Sequence, residues 1–123
     1  MSLNNGYQQY KEQSVMTMTQ GEMLLLLYDE LLKRLTRAGL ALDKEEYSLF
    51  EASVKRSKEI VQYLKSTLNF EYGISKELGQ MYDFFLFELS RLEAGRRKQI
   101  IEELKPLVKD LREAFQEAGK SAE

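Results

Sequence analysis

The chain has 123 residues, of which 43% are hydrophobic and 31% charged, with a net charge of −2. That length predicts one domain with a real core, and that balance excludes a disordered chain and general nucleic-acid binding. The sequence contains neither cysteine nor histidine, which removes disulfides, thiol nucleophiles, most zinc sites and the usual general base.

Residues 1–18 read as a polar N-terminal arm, too polar to fold alone. Its anchors are Tyr7, Tyr10, Val15, Met16 and Met18. Two tyrosines on such an arm can dock ring-inward in a groove with the hydroxyl at the rim. Thr19-x-x-Glu22 then fits a capping box, in which the Thr hydroxyl accepts from the backbone N–H of residue 22 and Glu22 reaches back to residue 19. Met18 and Met23 hold the flanking hydrophobic-staple positions.

The first helix is expected from Gln20 to Ala41. Its stripe is Leu24, Leu27, Tyr28, Leu31, Leu35 and Ala38, the 3–4 spacing of one helix face. Leu26 points away from that stripe. Asp43-x-x-Glu46 repeats the start signal, with Asp43 as N-cap, and predicts a second helix from Lys44 to Leu68. Tyr47, Phe50, Val54, Ser57, Val61, Leu64 and Leu68 make its bundle seam. Asn69 to Gly73 ends it, with Gly73 suited to a left-handed turn.

The third helix is expected from Ser75 to Glu93, striped by Leu78, Met81, Tyr82, Phe85, Leu89 and Leu92 and ended by Gly95. The fourth runs from Arg97 to Ala118, striped by Ile101, Leu104, Val108, Leu111 and Phe115. The single proline, Pro106, removes one helix hydrogen bond and predicts a kink. Short loops between long helices give antiparallel neighbours. The fold expected is therefore all-α: an antiparallel up-down four-helix bundle over 19–119, an extended arm at 1–18 and a frayed tail at 120–123.

Apolar residues left over after core assignment mark a binding surface. Projection at 100° per residue puts Tyr63 opposite the second helix's seam, with Ile60 and Leu49 to its side. Phe87 lies opposite the third helix's stripe, and Phe84 well off it. A second apolar face implies a partner, an arm folded over it or a homodimer. The candidate partner-binding set is thus Tyr7, Tyr10, Leu49, Ile60, Tyr63, Phe84 and Phe87, with the tyrosine arm as lid.

Catalysis is not expected. Glu45-Glu46 and Glu102-Glu103 are sequence neighbours, which point in different directions on a helix. No Glu-x-x-His di-iron motif and no Gly-rich phosphate loop occurs, so no cofactor or metal is expected. Arg96-Arg97-Lys98 is the one basic cluster and reads as a solvated loop. No signal peptide is expected, and the longest apolar run, Met23 to Tyr28, is too short to span a bilayer. A cytoplasmic location fits, without direct membrane insertion.

The ordered motifs resemble the flagellin-specific flagellar export chaperones, which serve bacterial type III secretion. They are the Asn5-Gly6-Tyr7-Gln8-Gln9-Tyr10 arm with Ser14-Val15, the Leu25-Leu26-Leu27-Tyr28-Asp29 helix start, Thr67-Leu68-Asn69, Met81-Tyr82-Asp83-Phe84 and Leu111-Arg112-Glu113-Ala114-Phe115. The chain departs from the family at Gln20, where Pro is usual, and at Glu30, where a small residue is. It also has Phe87-Glu88 in place of a usual Arg pair. The resemblance implies a non-enzymatic bundle that binds the disordered C-terminal region of flagellin and masks its polymerisation surfaces. It implies delivery of the complex to the export gate membrane protein, and it carries flagellin binding, or covering of an empty groove, to Tyr7 and Tyr10. The rival reading is a structural homodimeric bundle, or an adaptor for another export client; the oligomeric state expected is a monomer or weak homodimer.

Overall fold

The computed structural model describes residues 19–122. Four helices follow one another: α1 (Gln20–Asp43), α2 (Tyr47–Ser66), α3 (Ile74–Gly95) and α4 (Lys98–Ala122). The expectations on Tyr7, Tyr10 and the rest of the arm lie outside the described residues.

Cross-helix pairs fix the directions. Asp29 near the start of α1 meets Arg112 late in α4, while Asp43 at its end meets Lys98 at the start of α4. Lys58 pairs with Glu93 and Lys65 with Asp83 between α2 and α3. Tyr63 reaches back to Met23. Each of these neighbouring pairs is antiparallel, as expected of an up-down bundle. The contacts close a ring from α1 through α2, α3 and α4 back to α1, and α3 meets α4 least.

The core fills this ring. Tyr28, Tyr82, Phe50 and Phe85 are its largest fully buried side chains, layered with Leu31, Leu35, Val54, Val61, Leu64, Leu89, Leu92 and Val108. These are the expected stripe positions. Two seam residues differ: Leu68 is half-buried, and Tyr47 is partly exposed and stacks under the Arg96 guanidinium, 4.0 Å from its ring centroid.

The helix ends follow local chemistry. Thr19 caps α1, its hydroxyl accepting from the Glu22 N–H at 3.1 Å. The end of α1 corrects one expectation. Asp43 does not cap α2; it is the last residue of α1, and its carboxylate accepts from Lys98 Nζ at 2.8 Å. The chain turns instead by a Schellman motif, with Glu46 N–H on the Ala41 carbonyl (2.9 Å) and Glu45 N–H on that of Leu42 (3.1 Å). Glu45 takes the left-handed position at φ 58°.

One glycine expectation also changes. Gly73 has a right-handed backbone, φ −58°, at the start of α3. Gly95 ends α3 as expected, and Arg96 supplies the left-handed turn at φ 54°, donating its N–H to the Leu92 carbonyl at 2.8 Å. Arg96 is held there by Tyr47 and by Glu51 at 3.6 Å. α4 continues through Pro106 as one helix and runs to Ala122.

Candidate functional site: an apolar groove at one end of the bundle

One end of the bundle is open. There the start of α1, the end of α2, the 67–73 connection, the start of α3 and the last third of α4 surround a groove of about 550 Å³. Its floor is built from Tyr82, Leu78, Leu24 and Phe115. Tyr63, Met23, Tyr72 and Ile74 stand around it.

The floor is fixed. Tyr28 lies behind it and shares a hydrogen bond with Tyr82, hydroxyl to hydroxyl at 2.6 Å. The Phe115 ring stacks at a tilt on Tyr28, 5.7 Å between centroids. Burial pushes both phenols above the ordinary tyrosine range. The shared hydrogen bond adds to the rise at Tyr28 and opposes it at Tyr82. Both are therefore neutral hydrogen-bonding groups under a largely apolar surface.

The rim is built by a short connection with its own lock. Asn69 organises it: its side-chain oxygen accepts from Glu71 N–H (3.0 Å), and its carbonyl accepts from Tyr72 N–H (3.1 Å) and Ser75 Oγ (2.5 Å). Leu68 turns inward to rest on the bare backbone of Gly79; a Cβ added there would lie 3.5 Å from it. With the backbone spent on these bonds, Phe70, Tyr72 and Ile74 project outward, 70, 66 and 58% exposed. Such exposed rings next to an apolar hollow are the feature expected of a docking site.

The candidate residues read from the sequence divide between several places. Tyr63 lines the groove, its hydroxyl 3.8 Å from Met23 Sδ. Leu49 is exposed but sits near the other end of α2, about 21 Å along the helix from Tyr63. Ile60 is not a surface residue; it is buried in the core. The reason is that α2 packs against both α1 and α3, so its buried arc is wider than one stripe. Phe84 and Phe87 are exposed on α3, on the side turned away from the groove. Phe70 and Tyr72 in the connection and Ile74 at the start of α3 were missed. Their signal was three apolar side chains in, or directly after, a stretch read only as a helix terminator.

Among the described residues no cluster of acidic side chains is placed to hold a metal ion, and no helix is long and apolar enough to cross a membrane.

The family profile described as "Flagellar protein FliS" matches residues 3–122. A relative, the "Flagellar secretion chaperone FliS" of Bacillus subtilis (strain 168), is 30% identical over 121 residues. That match covers 98% of this chain and 91% of the relative. The chain belongs to the FliS family of flagellar proteins.

Proposed function

We propose that this protein is a cytoplasmic secretion chaperone for flagellin. It binds the C-terminal region of the newly made filament protein, keeps that region from polymerising and hands it to the membrane gate of the export apparatus. The observation that carries this reading is the open groove with its exposed aromatic rim, on a chain whose relative is a flagellar secretion chaperone. An amphipathic segment that is disordered before assembly is the ligand such a groove receives, through spaced apolar anchors. Its ordering entropy is offset by the apolar surface covered.

The groove also borders the point where the arm joins the bundle, since Gln20 lines it and Thr19 starts α1. Tyr7 and Tyr10 precede Thr19 in the sequence. They serve either as client anchors or as a cover for the empty groove. No nucleotide is required, because a competing contact at the gate suffices for release.

Titration calorimetry with the flagellin C-terminal segment tests the reading. A one-to-one complex is expected. Tyr72→Ala should weaken it by about 1–3 kcal/mol while leaving thermal stability unchanged, because the ring is an exposed hot-spot candidate. Tyr10→Ala should weaken it to a similar degree if the arm anchors the client. Absence of binding at near-millimolar segment, with the protein folded, refutes the proposal.

A further inference from the structure

Two phenol hydroxyls lie at and behind the groove floor, and only one of their protons is used. Each phenol carries one hydrogen, and the single contact of 2.6 Å between the two oxygens holds one of them. Among the described residues neither hydroxyl has a second partner. One O–H is therefore left without an acceptor, in side chains that are 0 and 1% exposed. A buried donor without a partner costs free energy, and native proteins keep few of them.

The geometry says which hydroxyl it is. Tyr82 lines the groove and Tyr28 does not. Tyr28 is packed behind the floor against Phe115, so its proton has only the Tyr82 oxygen to reach. The shared bond adds to the rise in pKa at Tyr28 and opposes it at Tyr82, the pattern of a Tyr28 donor and a Tyr82 acceptor. The spare proton is thus that of Tyr82. Polar neighbours on the lining lean the same way. Thr67 and Ser75 donate inward, to the carbonyls of Leu64 and Asn69. Asn69 spends its side-chain oxygen on Glu71 N–H, which leaves its amide NH₂ to donate. A ligand that meets Tyr82 and Asn69 must bring acceptors. The last four carbonyls of a helix are such acceptors, because they have no partner within the helix.

We infer that the Tyr82 hydroxyl is the polar anchor of the groove, donating its spare hydrogen bond to a main-chain carbonyl in the last turn of a client helix and so fixing which end of that helix meets the floor. The inference rests on the flagellin reading above. The apolar floor and rim give contact without direction. One buried donor gives direction, because a reversed helix would set its own unpaired N–H groups against another donor and leave both unsatisfied.

Titration calorimetry of the full chain with the flagellin C-terminal segment tests this. Tyr82→Phe removes the donor and keeps the ring, and affinity should fall about five- to tenfold. The double variant Tyr28→Phe/Tyr82→Phe, which strands no hydroxyl, should lose as much. Tyr28→Phe leaves the Tyr82 donor in place and should bind within about twofold of the parent. Direction has its own test, because the chain has no cysteine of its own. A nitroxide on Glu71→Cys, at the exposed rim, should broaden client NMR signals from the C-terminal turn of a helix. Broadening confined to an N-terminal turn overturns the inference. So do equal affinities of parent and double variant, or a loss in Tyr28→Phe that matches the loss in Tyr82→Phe. Each of these leaves the flagellin reading standing. A parent chain that does not bind the segment refutes that reading, and the inference falls with it.

Discussion

Removing one hydroxyl from the Tyr28–Tyr82 pair should hurt the fold more than removing both. Tyr28 is 0% and Tyr82 1% exposed, and their hydroxyls are 2.6 Å apart. Tyr28→Phe leaves the Tyr82 hydroxyl buried with its partner gone. A stranded buried polar group costs about 1–3 kcal/mol. For a chain of this size that lowers the melting temperature by roughly 4 °C per kcal/mol. Tyr82→Phe should cost a similar amount for the same reason. The double variant Tyr28→Phe/Tyr82→Phe strands nothing, keeps the ring packing against Phe115 and should lie within about 1 kcal/mol of the parent. Urea unfolding of the four proteins, followed by circular dichroism, gives the coupling energy. A double variant whose loss equals or exceeds the sum of the two single losses would refute the reasoning, because the hydroxyls would then not be acting through each other.

The same pair sets an alkaline limit. Folding raises both phenols above their ordinary value of 10.0 by burial, so this stabilisation is whole below pH 10 and drains away as pH climbs beyond it. Denaturant midpoints measured from neutral to strongly alkaline pH should fall above pH 10, and fall less in the double Phe variant. Glu45→Gly should stabilise the chain by about 0.5–1 kcal/mol in thermal unfolding, since a left-handed non-glycine residue costs about 1–2 kcal/mol and glycine returns part of that as unfolded-state entropy. Asp29→Ala removes the carboxylate that Arg112 holds from Nε and Nη2, yet both groups face solvent. Its loss should change unfolding free energy by less than about 1 kcal/mol and shrink further in high salt.

Most of the bundle was legible because helix periodicity is a local property. Phe50, Val54, Val61 and Leu64 announce their burial by spacing alone, and they are buried. Where periodicity misled, a second neighbour was the cause. Ile60 sits off the main stripe of α2, but α1 and α3 flank that helix on two sides and cover it. Asp43 carried a sound N-cap signal that lost to a competing one, because α1 ran on and the chain closed a Schellman turn through Glu45. The groove was illegible for a different reason. Its floor uses stripe residues such as Tyr82 and Leu78, indistinguishable in sequence from any core position. Its rim sits in the 67–73 connection and the first residue of α3, where no period exists and side-chain direction is set by the bonds of Asn69. Only Tyr63, surplus to its helix, pointed to it.

A groove of this size does not hold a client by itself. Of the residues lining it, Tyr63, Tyr72 and Ile74 are each about half to two-thirds exposed. Covering the rest of such a side chain is worth about 1–2 kcal/mol, from the 1.5–3 kcal/mol of full burial. The three together supply roughly 3–6 kcal/mol, against about 4–15 kcal/mol for lost translational and rotational freedom. Net affinity from the rim alone is therefore close to zero. Tight binding needs a client segment long enough to leave the groove and cover further apolar surface, and exposed Leu26 on α1 and Leu49 on α2 offer it. A flagellin peptide of about ten residues should accordingly bind weaker than about 100 μM, corresponding to roughly 5.5 kcal/mol. The whole C-terminal segment should bind at least a hundredfold tighter, a difference of about 2.7 kcal/mol. Equal affinity of the short and long ligands in calorimetry would show that the groove carries the binding free energy alone, and the client would need no contact elsewhere on the bundle.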